Sequence, residues 1–266
     1  MGSISSSKWL DLVDVFNYIE INGDIDDNIV LQLAEEMNLN HDFSEIKIKS
    51  HWHKFKQFSV YNIDDEPFLF IKELWQPEFF REILGIHIGT YFLDKELGVQ
   101  DYLFGTWRKN RRKEKPILVT PYVRGKKLKG EEHGYMFGLG RQYAYHEVLS
   151  LYDVDWRHFI IQQGIVVRID FGRSFSNLDM PYQGFWDIGY DKKLSQNAEF
   201  NRGVRFEMDR IAENIAKNRH HLSFLLDKMR SLESGKNFFI DFDMNIFLDE
   251  LTFYWNHHVS IPVLEA

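Results

Sequence analysis

One β-hairpin pattern constrains the fold of this chain more than any other feature. Between residues 159 and 169, isoleucine and valine lie on both sides of a Gln-Gln-Gly turn, which is typical of two short strands joined tightly. Strand pairing brings the loop before the first strand and the residue that ends the second strand to the same end of the hairpin. We therefore expect Asp153, His158 and Asp170 to converge.

Phosphoryl transfer is the chemistry that this set of side chains suits. The reaction needs a carboxylate that orients or deprotonates the acceptor, and oxygen ligands for the Mg²⁺ that bridges the phosphates. Asp155 competes with Asp153 for the first role, but only Asp153 stands five residues before His158.

The composition is that of an ordinary globular protein and excludes several classes of site. Of the 266 residues, 44% are apolar and 16% aromatic, and the net charge of −8 does not suit a chain that coats nucleic acid or anionic membrane. The absence of cysteine excludes disulfides, zinc–thiolate sites and cysteine nucleophiles. No apolar run of about 18 residues predicts a transmembrane segment, and no secretory signal is recognisable, so we expect a cytoplasmic protein.

The periodicity of apolar residues predicts an α+β fold. The patterns indicate helices over 8–38, an antiparallel meander over 45–74, a helix that opens at Pro77, a strand over 116–123, a helix over 134–151 and further helices from about 200 onward. A strand-rich part is thus followed by a mainly helical part.

The segment Ile169-Asp170-Phe171-Gly172-Arg173-Ser174-Phe175 resembles the metal loop of the protein-kinase-like superfamily. The likeness is to its atypical small kinases: the kinase of the tRNA threonylcarbamoyl complex, phosphoinositide kinases and aminoglycoside-type phosphotransferases. Asp153 followed by His158 resembles the catalytic loop, in which an Asp precedes an Asn by five residues. Further segments follow in the family's order: Phe70-Ile71-Lys72, Arg81-Glu82-Ile83-Leu84, the hinge-like strand 117–125 and the helix 140–146.

The resemblance covers roughly residues 45–215 and implies a two-lobed protein-kinase-like fold, with a small antiparallel β-rich lobe plus a larger helical lobe. ATP and Mg²⁺ would occupy the cleft between the lobes. The implied division is a helical N-terminal extension over 1–44, a small ATP-binding lobe over 45–123, and a large helical lobe over 124–266 that carries the catalytic and metal loops.

The resemblance also implies a role for each matching residue. Asp153 would be the catalytic carboxylate, and Asp170 would bind Mg²⁺, with His158 as a second metal or phosphate contact. Lys72 would contact the ATP phosphates, and Glu82 would hold Lys72. The backbone of Thr120, Pro121, Tyr122 and Val123 would meet the adenine.

Three departures from the family pattern keep a second interpretation open. His158 stands where the family has Asn, and neutral imidazole is a poorer Mg²⁺ ligand than a carbonyl oxygen. No glycine-rich loop lies between 45 and 62, and the interval from Lys72 to Glu82 is short for the expected pair. Glu78 is the backup choice of partner for Lys72. The alternative to an active kinase is therefore a pseudokinase or a nucleotide-binding interaction scaffold without transfer.

Each candidate residue also has a plain structural interpretation. Lys72 could extend its ammonium outward from an edge strand, and Glu82 could be an ordinary solvated helix residue. His158 could support its loop through a satisfied ring, and Asp170 could be a turn aspartate.

Basic residues are concentrated between 108 and 129, against the acidic balance of the whole chain. They are Arg108, Lys109, Arg111, Arg112, Lys113, Lys115, Arg124, Lys126, Lys127 and Lys129. A solvated hairpin tip that neutralises nearby acids is one interpretation. A patch for an anionic partner is the other, which would make the protein an RNA-associated kinase if that partner were RNA. The acceptor hydroxyl could accordingly belong to a protein, a small molecule or an RNA-bound group.

The N-terminus carries one further pattern. Met1-Gly2-Ser3-Ile4-Ser5-Ser6 fits the pattern for myristoylation of Gly2, although a cloning scar or a disordered start is the plainer interpretation. A single acyl chain would give weak membrane anchoring.

Overall fold

A computed structural model of the chain describes residues 3–8, 17–39, 48–52, 58–63, 66–74, 76–92, 95–99, 101–109, 114–128, 133–151, 156–172, 174–175, 178, 194, 196–232 and 244–257. The chain divides into two compact units. The first unit is Met1–Phe79 with Asp101–Arg124, and the second is Phe80–Gln100 with Gly125–Ala266. The predicted division into 1–44, 45–123 and 124–266 stays a prediction.

The first unit is built on a seven-stranded sheet with the order β1-β2-β6-β7-β5-β4-β3. Its strands are β1 (Ser3–Lys8), β2 (Asn17–Asn22), β3 (Ile48–Trp52), β4 (Phe58–Ile63), β5 (Glu66–Glu73), β6 (Leu103–Arg108) and β7 (Lys115–Pro121). Neighbouring strands are antiparallel except β2 and β6, which pair in parallel. The meander predicted over 45–74 is present as β3, β4 and β5.

The prediction of a helical N-terminal extension is wrong over the strands β1 and β2. Tyr18, Ile19 and Ile21 are buried, and Ile19 and Ile21 share one face of β2. Aromatic and β-branched residues that alternate in this way favour a strand once a sheet edge such as β6 is available to pair with. Helix α1 (Asp27–Glu36) does form within the predicted region, and the side chain of Asp26 caps it by accepting from the N–H of Ile29 at 3.1 Å.

Helix α1 covers one face of the seven-stranded sheet. Its buried residues Ile29, Val30 and Leu33 pack in one core with Leu69 and Ile71 of β5. Because successive side chains of a strand point to opposite faces, Lys72 lies on the face away from α1. Strand β5 is paired on both sides, with β4 and β7, so the interpretation of Lys72 as an edge-strand residue is wrong.

The second unit combines helices with a three-stranded sheet of order β10-β9-β8. Its strands are β8 (Lys126–Lys127), β9 (Phe159–Gln162) and β10 (Ile165–Arg168). Its helices are α2 (Gln76–Phe92, whose first residues belong to the first unit), α3 (Met136–Val148), α4 (Ala198–Leu232) and α5 (Met244–His257). The fold is therefore α+β, as predicted, and among the described helices none combines the length and apolarity needed to cross a membrane.

Helices α3 and α4 approach each other closely at two glycines. A Cβ built on Gly140 would lie 2.0 Å from the carbonyl oxygen of Phe200, and one built on Gly203 would lie 2.1 Å from that of Phe137. Both neighbouring atoms belong to the backbone and cannot rotate away, so the crossing requires glycine at each position. This crossing fixes α3, the helix that leads into the predicted catalytic loop.

Candidate active site

The hairpin of β9 and β10 forms as the sequence predicts and brings His158 and Asp170 together. Arg168 pairs with Phe159, and the N–H of Ile169 donates to the carbonyl of His158 at 3.0 Å. Beyond this last pair, His158 Nε2 lies 3.8 Å from Asp170 Oδ2. The turn between the strands places Gln163 and Gly164 at positive φ, 51° and 85°, a conformation that glycine adopts readily.

Asp170 presents a carboxylate that is partly open to solvent. Its side chain is 36% exposed, and Oδ1 accepts from the N–H of Gly172 at 3.1 Å. Oδ2 faces His158. The side chain therefore keeps acceptor capacity at the end of the strand, while its own loop fixes its orientation.

The described residues of the loop that follows Asp170 are packed within the second unit. Ser174 donates to the carbonyl of Phe171 from both its N–H, at 2.9 Å, and its hydroxyl, at 2.7 Å. Phe175, at a φ of 56°, donates its N–H to Leu149 at 2.7 Å. Phe171 and Phe175 are buried, so the loop is anchored by its aromatic side chains as well as by its backbone.

Helix α2 holds this loop through Glu82. The side chain of Glu82 is only 1% exposed, and its Oε1 accepts from the N–H of Phe171 at 3.2 Å. One turn further along α2, a Cβ on Gly85 would lie 2.2 Å from Ser174 Oγ and 3.1 Å from Phe171 Cβ. The interpretation of Glu82 as a solvated residue is therefore wrong, and α2 lies directly against the loop.

We predict that the acceptor oxygen of Glu82, more than its charge, stabilises this contact. Glu82→Gln keeps an oxygen that can accept from Phe171, and we expect it to lose less than about 1 kcal/mol in the free energy of unfolding. Glu82→Leu leaves the buried N–H of Phe171 without this acceptor and should lose about 1–3 kcal/mol. Urea unfolding of both variants measures the difference. Equal losses in the two variants would show that the hydrogen bond is not the contribution of Glu82.

Arg168 and His146 complete the surroundings of Asp170, and the sequence did not single them out. Arg168 Nε donates to the backbone carbonyl of Asp170, and Arg168 Nη1 lies 2.6 Å from His146 Nε2. Both side chains are buried. Burial, followed by the charges of Arg168 and His158, holds the pKa of His146 well below its usual range. The sequence signal that could have identified Arg168 was its position at the end of an otherwise apolar strand.

The residues predicted to meet ATP from the small lobe lie in the first unit. Lys72 is half-buried on β5 and pairs opposite Leu118 of β7. Thr120 and Pro121 end β7 opposite Phe70 and Leu69. The N–H of Tyr122 donates to the carbonyl of Phe68 at 2.8 Å, so this amide is hydrogen-bonded to strand β5. Val123 follows, half-buried, in an irregular segment.

Some predicted residues cannot be located in the fold. Asp153 and its alternative Asp155 lie outside the described residues. Glu78 stands in the first turns of α2. Across the described part of the chain, no group of three or more His, Asp and Glu side chains is arranged to hold a metal ion. The roles of Asp153, Lys72, Glu82, His158, Asp170 and the 120–123 backbone stay predictions.

Four of the basic residues between 108 and 129 are paired with acids of the first unit. Lys109 Nζ lies 2.9 Å from Asp24 Oδ1, and Arg124 Nη1 lies 3.6 Å from Glu66 Oε2. Two further ion pairs are Arg108–Glu114 and Lys115–Glu73. These pairs support the interpretation of the segment as a hairpin that neutralises nearby acids. Residues 110–113 and 129 lie outside the described residues, and the anionic partner stays a prediction.

Comparison with known proteins adds little to the geometry. No family model matches the chain, and no curated protein sequence does. A crystal structure of the effector kinase LegK7 from Legionella pneumophila aligns with 53% of this chain at 9% sequence identity and a TM-score of 0.21. The aligned part covers 33% of LegK7, and a likeness of this size carries no argument about the present chain.

Proposed function

We propose that the protein is a kinase-like phosphotransferase, which moves the γ-phosphoryl group of ATP to a hydroxyl acceptor. The observation that carries the proposal is the Asp-Phe-Gly loop at 170–172. Its aspartate is partly exposed at the end of β10, while the following backbone is held by Glu82 and by Arg168. A rigid backbone under an accessible carboxylate is what a site for positioned phosphates requires. The proposal includes the two-lobed kinase-like fold.

The donor set at Asp170 fits Mg²⁺. This ion binds proteins through one or two carboxylates and completes its shell with water and phosphate oxygens. Asp170 offers one carboxylate whose Oδ1 is turned toward Gly172 and whose Oδ2 faces His158. When bound, Mg²⁺ would neutralise charge on the phosphates of ATP.

The proposed transfer forms one bond to the γ-phosphorus and breaks another, and each proposed residue has one role in it. The acceptor oxygen forms a bond to the γ-phosphorus as the bond between that phosphorus and the β–γ bridging oxygen breaks, and ADP leaves with the bonding electrons. Asp153 orients the acceptor hydroxyl and takes its proton. Lys72 meets the phosphates with a positive charge. Glu82 acts through the amide of Phe171, which keeps the Asp170 loop in place.

The first test is thermal unfolding in the presence of ATP, with and without Mg²⁺. A ligand that binds only the folded protein raises the midpoint of thermal unfolding. At a ligand concentration one hundred times the dissociation constant, it adds about 2.7 kcal/mol to the free energy of unfolding. We expect wild-type protein to gain a Mg²⁺-dependent rise and Asp170→Ala to lose it.

Asp249→Ala is the matched control, because Asp249 is an exposed carboxylate on α5 and lies outside the proposed site. It should keep the full Mg²⁺-dependent rise. No rise in wild-type protein at millimolar ATP, or an undiminished rise in Asp170→Ala, would contradict the proposal.

A nucleotide-binding protein without transfer is the second candidate. It is favoured by His158, because the atom that faces Asp170 Oδ2 is a ring nitrogen, Nε2. A ring nitrogen is a poorer ligand for Mg²⁺ than an oxygen. ADP formation from ATP, with water as the acceptor of the phosphoryl group, separates the two candidates in the same samples. Stabilisation by ATP and Mg²⁺ with ADP formation that is lost in Asp170→Ala supports transfer. Stabilisation without ADP formation supports the second candidate.

A further inference from the structure

A buried arginine lies directly before the Asp-Phe-Gly loop. Arg168 ends β10 with a relative exposure of 1%, after Ile165, Val166 and Val167. Moving a guanidinium out of water is costly unless hydrogen bonds and charge-stabilising contacts replace its hydration. The contacts that Arg168 makes therefore identify what this cation does in the fold.

The contacts of Arg168 converge on the loop that carries Asp170. Its Nε donates to the backbone carbonyl of Asp170, two residues ahead. Its guanidinium carbon lies 5.7 Å from the ring centroid of Phe171 and 6.0 Å from that of Phe159, which is within range of cation–π attraction. The same side chain thus touches both Asp170 and the residue after it.

His146 holds the other side of the guanidinium. It lies on α3, stacks on Phe159 with ring centroids 5.5 Å apart, and places Nε2 2.6 Å from Arg168 Nη1. Arginine has no acceptor atom, so Nε2 of a neutral His146 is the acceptor in this hydrogen bond. Helix α3 is fixed in turn by its glycine crossing with α4. The loop is therefore connected through Arg168 to a rigid part of the second unit.

We infer that Arg168 is a positioning residue that orients Asp170 toward its metal and phosphate ligands. This inference rests on the proposed function. The planar guanidinium donates in fixed directions, so one side chain can bind the Asp170 carbonyl and His146 at the same time. A lysine carries its charge on one nitrogen and cannot reproduce both contacts with the same geometry. Arg168 would act through Asp170 and would not itself touch the nucleotide.

The test is a titration of the protein and ATP with Mg²⁺, in which the midpoint of thermal unfolding is measured at each Mg²⁺ concentration. Residues that orient a metal ligand typically change metal affinity by about 10- to 100-fold when they are removed. We expect Arg168→Met to weaken the apparent affinity for Mg²⁺ by about 10-fold or more, and to leave binding of ATP without Mg²⁺ unchanged. Arg168→Lys, which keeps a cation and a donor, should fall between Arg168→Met and wild type.

A double variant, Arg141→Met with Glu207→Met, is the matched control. It removes another buried arginine from the second unit together with Glu207, the buried carboxylate that it pairs with, so that a general effect of removing a buried arginine can be recognised. The control should keep wild-type affinity for Mg²⁺. Wild-type affinity in Arg168→Met, or an equal loss in the control, would overturn the inference.

Hydrogen exchange separates failure of this inference from failure of the proposed function. The amides of Phe171, Gly172 and Ser174 each donate within or next to the loop. In Arg168→Met, these amides should exchange with solvent faster than they do in the control, whether or not ATP binds. If wild-type protein binds no nucleotide, the proposed function fails, and unchanged exchange would then overturn the positioning role as well.

A second pair of variants covers the case in which Arg168→Met does not fold. His146→Gln keeps an acceptor for Arg168, whereas His146→Leu removes it. We expect His146→Leu to weaken Mg²⁺ binding and speed loop exchange relative to His146→Gln. Equal behaviour of the two variants would overturn the inference.

Discussion

Acidification from pH 6.5 to pH 5 is expected to reduce the free energy of unfolding by about 2 kcal/mol through His87 alone. His87 lies on α2 and is fully buried, and burial, followed by the charge of His221, lowers its pKa from 6.5 to about 3. The folded protein therefore excludes a proton that the unfolded chain binds below pH 6.5. Stability contributed by neutral His87 is present above that pH and is lost progressively as the pH falls toward 3.

Urea unfolding at a series of pH values measures this effect, and His87→Leu isolates it. The variant cannot take up the proton, so its stability should decline less steeply between pH 6.5 and pH 5. Glu147 works in the opposite sense, because burial raises its pKa, but it is present in both proteins and cancels in the comparison. His220→Gln is the control, since His220 is exposed on α4. Parallel curves for wild type and His87→Leu would rule out His87 as a source of acid sensitivity.

The sequence predicted the parts of the fold that local patterns determine. The hairpin of β9 and β10 has a turn signal and apolar strands within eleven residues, from Phe159 to Ile169, and it formed with His158 and Asp170 at one end. The strand β2 was missed although one partner, β1, is near in sequence, because the other partner, β6, is distant. Tyr18 pairs with Phe104 in parallel, and no short-range pattern encodes a contact between residues so far apart.

The surroundings of Asp170 were less predictable than Asp170 itself. A motif identifies an aspartate before Phe-Gly, but it does not say what holds the loop. Glu82 was assigned to Lys72 from the resemblance, and that pairing stays a prediction. One observed partner of Glu82, the N–H of Phe171, was not foreseen. Arg168 was not singled out, because burial of a cation depends on tertiary neighbours such as His146. These contacts depend on the packing of α2 and α3, which periodicity alone does not encode.

Loss of the Arg141 guanidinium is expected to destabilise the protein by about 3–5 kcal/mol. Arg141 Nε lies 3.0 Å from Glu207 Oε2 across the α3–α4 crossing, and the side chain of Glu207 is 0% exposed. Arg141→Met leaves the Glu207 carboxylate buried without its guanidinium partner. The penalty for that lone charge dominates the expected loss, because the intact pair itself balances attraction against desolvation.

A double-mutant cycle distinguishes this penalty from lost packing. Combining Arg141→Met with Glu207→Met removes both charges, and we expect it to recover most of the stability lost in Arg141→Met, since well-packed apolar residues often replace a buried ion pair without loss. Lys217→Met is the surface control on α4, where Lys217 and Glu213 are exposed and 3.9 Å apart, and it should change stability by less than about 1 kcal/mol. If the double variant is as unstable as Arg141→Met, the loss belongs to the shape of the α3–α4 crossing, and the helix that leads into the predicted catalytic loop is held there by packing and not by charge.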